Sequence, residues 1–194
     1  MSAAVARIRG IEPGEPSDAE LLAGVARGDL GPLGELFDRH HAGVRHFLVR
    51  VLRDQAEADD LVQETFLTAS RAAGSYEATG SARSFLIGIA AQLVRRRRRS
   101  WRRLFQMLES FEVAPRAPAR SPEDLASVSE ESERLQAELG RLSEDHRLTF
   151  CMIEIGGMSG VEVARTLGIP PGTVGRRLHE ARAELRAQLT RGAR

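Results

Sequence analysis

Residues 159–186 read SGVEVARTLGIPPGTVGRRLHEARAELR and carry the clearest structural signal in the chain. Ser159 and Glu162 have the spacing of a capping box, which predicts that a helix begins there. Gly168 stands where the end of a helix favours a left-handed residue. The prolines that follow exclude simple continuation of that helix and suit the first turn of another. The stretch therefore predicts two helices joined by a tight turn.

The two predicted helices each have an apolar side and a polar side. The apolar sides consist of Val161, Val163, Ala164 and Leu167 on the first helix and Val174, Leu178, Ala181 and Leu185 on the second. The polar residues of the second helix are Thr173, Arg176, Arg177, His179 and Arg182. A second helix with arginines in its N-terminal half is typical of a recognition helix that enters the DNA major groove. The alternative for Arg177 is a pair with Glu180 or Glu184 along the helix.

The composition favours an all-α protein, and we expect no cofactor. Hydrophobic residues make up 42% of the chain and aromatic residues 5%, and β-branched clusters are sparse. No apolar run approaches the roughly 20 residues that span a bilayer, and the N-terminus lacks a signal-peptide pattern. Cys151 is the single cysteine, so we expect it in the core of a protein that stays in the cytoplasm. No catalytic triad, metal motif or phosphate-binding loop is evident, which argues against an enzyme.

Charge is distributed in blocks. All 28 basic residues counted as lysine or arginine are arginine. The codon bias of a GC-rich genome would explain this usage. Residues 76–106 hold eight arginines and one acid, residues 107–146 hold four arginines and ten acids, and residues 147–194 hold eight arginines and four acids. Two basic blocks around an acidic one suggest two nucleic-acid-facing modules and a connector between them.

The helix signals divide the chain into two small helical domains joined by a flexible linker, the second domain containing the helix-turn-helix. Further helix starts are predicted at Ser17, Asp54, Ser81, Ser121 and Ser143. The predicted divisions are an N-terminal tail at 1–16, a first domain at 17–106, a linker at 107–121 and a second domain at 122–194. Because the linker is rich in proline and alanine, we expect the two domains to move independently.

Two strings resemble one known family. GMSGVEVARTLGIPPGTVGRRLHEARAEL is similar to the helix-turn-helix with which extracytoplasmic-function (ECF) sigma factors bind the promoter −35 element. ADDLVQETF, at 58–66, resembles the family's polymerase-binding helix. The resemblance covers about 30–106 and 122–189. It implies a first domain that binds core RNA polymerase and the −10 element, and a second domain that binds the −35 element.

The resemblance also assigns residues to these surfaces. The polymerase-binding face consists of Asp59, Asp60, Gln63 and Glu64, for which a solvated helix face is the alternative. The −35 set is Thr173, Arg176, Arg177, His179 and Arg182. The −10 set is Tyr76, Gln92, Arg95, Arg96, Arg98, Arg99 and Trp101. Arg102 and Arg103 extend this run to seven arginines in nine residues, the footprint expected for phosphates, although part of it would be a solvated helix end. Tyr76 and Trp101 could stack on unpaired bases, with core or linker packing as the alternative for Trp101.

The sequence departs from the family at three positions. Ser70 replaces a usual Trp, Gln92 a usual Asn and Arg96 a usual Asp. These departures bear on −10 preference and promoter melting but not on the fold. The implied partners are core RNA polymerase, promoter DNA and an anti-sigma factor. The alternative function is a sigma-derived DNA-binding regulator that does not itself initiate transcription.

Overall fold

The computed structural model describes residues 15–76, 80–109 and 130–192, with side chains for 15–76, 80–103 and 134–188. The regular secondary structure in these ranges is helical and contains no strand, as predicted. The helices are α1 (Asp18–Ala26), α2 (Gly31–Leu52), α3 (Gln55–Ala72), α4 (Ala82–Glu109), α5 (Glu130–Arg141), α6 (Glu144–Glu154), α7 (Gly160–Leu167) and α8 (Pro171–Gly192). A short 3-10 turn at Ala73–Ser75 follows α3.

The predicted helix starts are confirmed where the structure describes them. Ser17 accepts a hydrogen bond from the backbone N–H of Glu20, whose carboxylate accepts in return from the Ser17 N–H at 2.7 Å. Asp54, Ser81 and Ser143 cap the helices that follow them. These bonds satisfy N–H groups that have no partner inside their own helix. The start predicted at Ser121 lies outside the described residues, and α4 continues to Glu109.

Helices α1 to α4 form the N-terminal domain. Helix α2 packs against α3 and α4, and α1 packs against α2. The most deeply buried side chains come from positions three or four residues apart on each helix, as expected for a helical apolar stripe. They include Val44, Phe47, Leu48, Val51, Leu61, Leu86 and Val94.

Helices α5 to α8 form the C-terminal domain. Its core includes Leu139, Leu148, Met152, Val163, Leu167, Val174 and Ala181. The expectation that Val161 belongs to this core is wrong, because its side chain is 72% exposed. Helix α7 has only about two turns, and its buried side, Val163, Ala164 and Leu167, does not extend to the second residue of the helix.

The two domains are packed together rather than separate. One continuous cluster of buried residues runs through both, and α2 and α4 contact α6 and α7. The Gln136 amide of α5 donates to the backbone carbonyl of Val49 in α2 at 2.7 Å. The first three residues of the linker predicted at 107–121 belong to α4, and the rest of that linker lies outside the described residues. The described parts of the two domains share an interface, and independent movement of the domains stays a prediction.

Cys151 lies on the buried side of α6. Its side chain is fully buried, which confirms its predicted place in the core. Burial raises the pKa of the Cys151 thiol to about 12, opposed in part by the nearby guanidinium groups of Arg147 and Arg50. The thiol therefore stays protonated and unreactive in the folded chain. Among the described helices, none combines the length and the apolar character needed to cross a bilayer.

Gly156 tests the close packing at the end of α6, both against its own helix and against Ile87 of α4. A Cβ at this position would lie 2.5 Å from the backbone oxygen of Met152 and 2.8 Å from Cγ2 of Ile87. Gly156→Ala should therefore lower the free energy of unfolding by about 1–3 kcal/mol. Urea unfolding followed by circular dichroism measures this change.

Gly34 supplies the matched control. It lies in α2, where an added Cβ would have no heavy atom within 4 Å apart from its chain neighbours and the backbone of its own helix. Gly34→Ala should raise the free energy of unfolding by up to about 1 kcal/mol, because alanine is the better helix former. Equal effects of the two substitutions would contradict the tight contact at Gly156.

Candidate functional site

The acidic face of α3 is fixed by helical periodicity. Leu61, Val62 and Phe66 point into the domain core. The residues of the expected polymerase-binding set lie on the other side, with Asp59, Asp60 and Gln63 exposed and Glu64 partly exposed. The structure thus brings all four predicted residues together on one surface.

The four residues of this face differ in their contacts. The Asp59 carboxylate accepts from the Arg45 guanidinium at 2.6 and 3.2 Å, so its charge is partly offset within the domain. Asp60 and Glu64 are one helical turn apart and reinforce each other's negative potential. A positively charged partner would therefore meet the acidic face mainly through Asp60 and Glu64.

The helix-turn-helix forms as predicted. Ser159 and Glu162 make both bonds of the capping box, at 3.3 and 2.7 Å. Gly168 adopts a left-handed conformation with φ of 65°, where a side chain would be strained. Pro171 is the first residue of α8. These local interactions fix the angle at which the recognition helix leaves the turn.

The predicted −35 residues differ in exposure along α8. The Arg176 side chain is 66% exposed and that of Arg177 is 20% exposed. His179 and Arg182 are exposed, while Thr173 is partly buried at the start of the helix. The helix therefore presents Arg176 and His179 outward and turns Arg177 toward α6.

Acidic residues engage the arginines of the recognition helix. Arg177 donates to Asp145, Arg182 donates to Glu154 at 3.1 Å through Nε, and Arg176 lies 3.5 Å from Glu180. A pair between Arg177 and Glu180 or Glu184 was one expectation. The partner is instead Asp145, because Arg177 faces α6. Exposed pairs of this kind contribute about 0–1 kcal/mol, so phosphates can replace the acids.

His146 also braces α6 against the recognition helix. Its two ring nitrogens lie 3.1 Å from the Glu180 carboxylate and 2.9 Å from the Glu184 carboxylate. Together with the Asp145 contact, this fixes α8 against the start of α6. Two consecutive residues of α6, Asp145 and His146, therefore hold α8 on its own domain.

The arginine run of α4 is divided between solvent and the protein interior. Gln92, Arg96 and Arg99 are exposed. Arg95 donates to the backbone carbonyl of Leu167 at 2.7 Å, and Arg98 donates to that of Val51 at 3.2 Å. Only part of the expected −10 set therefore faces solvent in this structure.

Burial lowers the pKa of the Arg98 guanidinium, while the Glu144 carboxylate nearby opposes that change. The lowering reflects a desolvated side chain. Arg98 is therefore held inside the structure and is poorly placed to meet a phosphate without rearrangement.

The two aromatic members of the −10 set have different surroundings. The Tyr76 ring packs edge-on against Phe85 with centroids 5.5 Å apart, and its hydroxyl donates to the Gly80 carbonyl at 2.7 Å. Trp101 is 48% exposed. Trp101 is thus the more accessible stacking surface, and Tyr76 is occupied in closing its loop.

Sequence reasoning missed Arg165. This exposed residue of α7 lies with Arg95, Arg96 and Arg99 of α4 around a groove between the two domains. No sequence signal joins residues that are about 70 positions apart. Only the packing of α7 on α4 brings Arg165 into the basic surface.

Family models match both domains. The model for sigma-70 region 2 matches residues 36–104, and the model for sigma-70 region 4 matches residues 132–185. The chain is similar to the ECF RNA polymerase sigma factor SigM of Mycobacterium tuberculosis, with 33% identity over 88% of this chain and 84% of the relative. It is also similar to the RNA polymerase sigma factor CarQ of Myxococcus xanthus, with 34% identity over 80% of this chain and 87% of the relative.

Solved structures share the fold. CnrH, in complex with the cytosolic domain of CnrY, superposes with a TM-score of 0.62 at 26% identity, covering 90% of this chain and 98% of CnrH. The sigma factor RpoE from Bartonella quintana, in complex with the anti-sigma factor NepR, gives a TM-score of 0.64 at 24% identity. That superposition covers 81% of this chain and 96% of RpoE.

The capping box can be tested by removing its hydroxyl. Ser159→Ala leaves the Glu162 N–H without its partner, so the free energy of unfolding should fall by about 1 kcal/mol. Ser159→Asp should retain most of the stability, because a carboxylate also caps a helix. Ser100→Ala, in the exposed part of α4, is the control and should change stability by less than about 0.5 kcal/mol. Thermal and urea unfolding measure both.

Proposed function

The chain belongs to the extracytoplasmic-function family of RNA polymerase sigma factors, which direct core RNA polymerase to promoters, and we propose that its two domains divide this task between polymerase and DNA. The N-terminal domain docks on core polymerase and captures the −10 element. The C-terminal domain carries the −35 element on α8. The observation that supports this division is the outward placement of an acidic face on α3 and a basic face on α8.

The polymerase contact is assigned to Asp59, Asp60, Gln63 and Glu64. Asp60 and Glu64 provide the charge that selects a basic partner surface. Asp59 and Gln63 extend the polar contact, with Asp59 already oriented by Arg45. Such complementarity between charged surfaces gives specificity and a fast association rate.

The −35 contact is assigned to α8. Arg176 and His179 project from its exposed side and are placed to meet base edges in a major groove. Thr173 and Arg182 flank them and reach the phosphates. Arg177 braces α8 through Asp145 and adds a phosphate contact at the edge of the surface.

The −10 contact is assigned to α4 and the aromatic residues near it. Gln92, Arg96 and Arg99 face solvent and would meet a single strand first. Arg95, Arg98 and Tyr76 join only after their present contacts are exchanged. Trp101 offers a ring on which an unpaired base can stack, an interaction that contributes about 1–3 kcal/mol.

The protein acts by binding rather than by catalysis, in the cytoplasm where polymerase and promoter DNA are found. An anti-sigma factor is its proposed regulator, because RpoE from Bartonella quintana, which shares this fold, is bound to the anti-sigma factor NepR. The test is run-off transcription with purified core polymerase on DNA from upstream of its own gene. A transcript that requires the protein supports the assignment. DNA binding without a transcript would favour the sigma-derived regulator, for which Gln92 and Arg96 are the motivating departures.

Charge reversal tests the polymerase contact. Asp60→Arg with Glu64→Arg should abolish association with core polymerase, because two attractive charges become repulsive. Both residues lie outside the core, so stability should change by no more than about 0.5 kcal/mol per site. A pull-down with core polymerase measures association, and a thermal melt verifies folding. Asp38→Arg, an exposed substitution on α2, is the matched control and should bind normally. A folded double variant that still binds as well as the wild type would refute the assignment.

Substitutions at neighbouring arginines separate base reading from bracing. Arg176→Ala should weaken binding to a −35 duplex by about 1–3 kcal/mol and relax the preference at one base pair. Arg177→Ala should weaken matched and scrambled duplexes equally, because Arg177 is turned toward Asp145. Fluorescence anisotropy with both duplexes measures the two effects. A loss confined to the matched duplex for Arg177→Ala would show that Arg177 reads a base.

A further inference from the structure

The groove beside α7 is lined by four arginines. It lies where α7 packs against α4 and has a volume of about 470 Å³. Its cationic residues are Arg95, Arg96 and Arg99 of α4 and Arg165 of α7. The other lining residues are uncharged and include Thr68, Gln92 and Thr166. The described residues that line this groove therefore supply four positive charges and no carboxylate.

Acidic partners divide the arginines of α4 into two groups. Arg102 donates to Glu144 at 2.7 Å, and Arg98 lies 3.8 Å from the same carboxylate. Arg97 lies 3.8 Å from the Glu57 carboxylate. Among the described residues, no acid lies within ion-pair distance of the three α4 arginines that line the groove. The positive charge of α4 is thus offset by carboxylates away from the groove but not inside it.

Arg95 adapts the end of α7 to an anion. The last carbonyls of a helix carry a partial negative charge, which would repel an anion in the groove. The Arg95 guanidinium donates to the Leu167 carbonyl, the last of α7, at 2.7 Å and offsets that charge. A guanidinium has five N–H donors, and this bond uses one of them. Arg95 is therefore held at the groove with donors left for a ligand.

The groove is accessible and its charge exceeds that of one phosphate. Arg96, Arg99 and Arg165 are exposed, so a ligand reaches them from solvent. Arg95 and Arg99 are one turn apart, which spaces their charges by about 6 Å along α4. A single phosphate group carries about −1.5 to −2 at neutral pH, half or less of the charge that faces it. A ligand with several linked phosphates therefore matches the groove better.

The size of the groove selects among such ligands. Sites for small molecules and cofactors have volumes of about 300–1,000 Å³, and this groove lies in that range. Arginine forks bind phosphate oxygens through paired hydrogen bonds. The hydroxyls of Thr68 and Thr166 and the amide of Gln92 are hydrogen-bonding groups that suit sugar hydroxyls and base edges. The lining thus offers contacts for a nucleoside as well as for a phosphate chain.

We propose that this groove binds a nucleoside polyphosphate, whose phosphate chain is held by Arg95, Arg96, Arg99 and Arg165. This binding goes beyond the proposed function and does not depend on it. Gln92, Arg96 and Arg99 also belong to the proposed −10 set, so a bound nucleotide competes with a DNA strand for them. That competition alone rests on the proposed function.

Titration calorimetry with the full chain at about 0.15 M salt tests the binding. The probes are ATP, GTP, AMP, GMP and inorganic tripolyphosphate. At least one triphosphate should bind with one ligand per chain and about tenfold more tightly than its monophosphate, because more of its charge meets the arginines. Absence of binding by both triphosphates would overturn the proposal. Tripolyphosphate that binds as tightly as either nucleotide would overturn the assignment of a nucleoside.

Substitution of Arg165 tests the place of binding. Arg165→Ala should weaken binding of the triphosphate about tenfold, because it removes a charged fork from α7. Arg165→Lys retains the charge without the fork and should weaken binding less. Arg186→Ala, at an exposed position of α8 outside the groove, removes the same charge and should bind as the wild type does. Equal losses for Arg165→Ala and Arg186→Ala would show a general attraction of anions and overturn the site.

Arginine modification locates the ligand on the wild-type chain. Phenylglyoxal labelling followed by peptide mass spectrometry measures the reaction rate of each arginine. The bound triphosphate should slow the labelling of Arg96, Arg99 and Arg165 severalfold and leave that of Arg186 unchanged. Protection confined to the arginines of α8 would place the ligand on the proposed −35 surface and overturn the site.

A labelled single-stranded DNA of 12 nucleotides separates the nucleotide from a DNA strand. The triphosphate should displace this DNA from the chain, as measured by fluorescence anisotropy. DNA binding that requires Arg165, with no binding of either triphosphate, would show that the groove holds a strand and would overturn the proposal. If triphosphate binding requires Arg165 while run-off transcription fails, the nucleotide site stands and the proposed function fails.

Discussion

The ends of α6 and α7 require partners, and this requirement organises the relation between the two domains. Carbonyl groups at a helix end lack partners within their own helix. Helix α4 supplies Arg83 for the Ile155 carbonyl, in an exposed bond, and Arg95 for the Leu167 carbonyl, in a partly buried one. A hydrogen bond from a charged donor contributes about 1.5–3 kcal/mol, and the helix dipole adds about 0.3–1 kcal/mol. The desolvation of neighbouring Arg98 opposes this gain.

Arginine suits the helix-end contacts between the two domains. Its planar fork of donors suits a backbone carbonyl, a carboxylate and a phosphate equally well. The chain contains 28 arginines and no lysine, so every cationic side chain that faces the interface has this capacity. Arg95 uses this capacity within the protein, where it donates to the Leu167 carbonyl.

Local interactions explain what the sequence could predict. The caps at Ser17, Ser143 and Ser159 were predictable because each bond joins residues three positions apart. The sequence did not predict which arginines of the run at 95–99 face solvent and which face the protein interior. In a run of five arginines, periodicity cannot tell which side chains turn inward, and only the position of Leu167 fixes Arg95. The packing of the domains was likewise beyond prediction, because an apolar residue such as Ile87 signals burial without naming the surface that covers it.

The two basic surfaces, on α8 and on α4, differ in how firmly their arginines are held by other groups of the protein. On α8, Arg176 and Arg182 have acidic partners in largely exposed pairs, and such pairs contribute about 0–1 kcal/mol each. Phosphates can replace those acids with little rearrangement. On α4, Arg95 cannot leave the Leu167 carbonyl without exposing that helix-end group to water. The arginines of α8 are therefore held by carboxylates at the surface, whereas Arg95 is part of the packing between the domains.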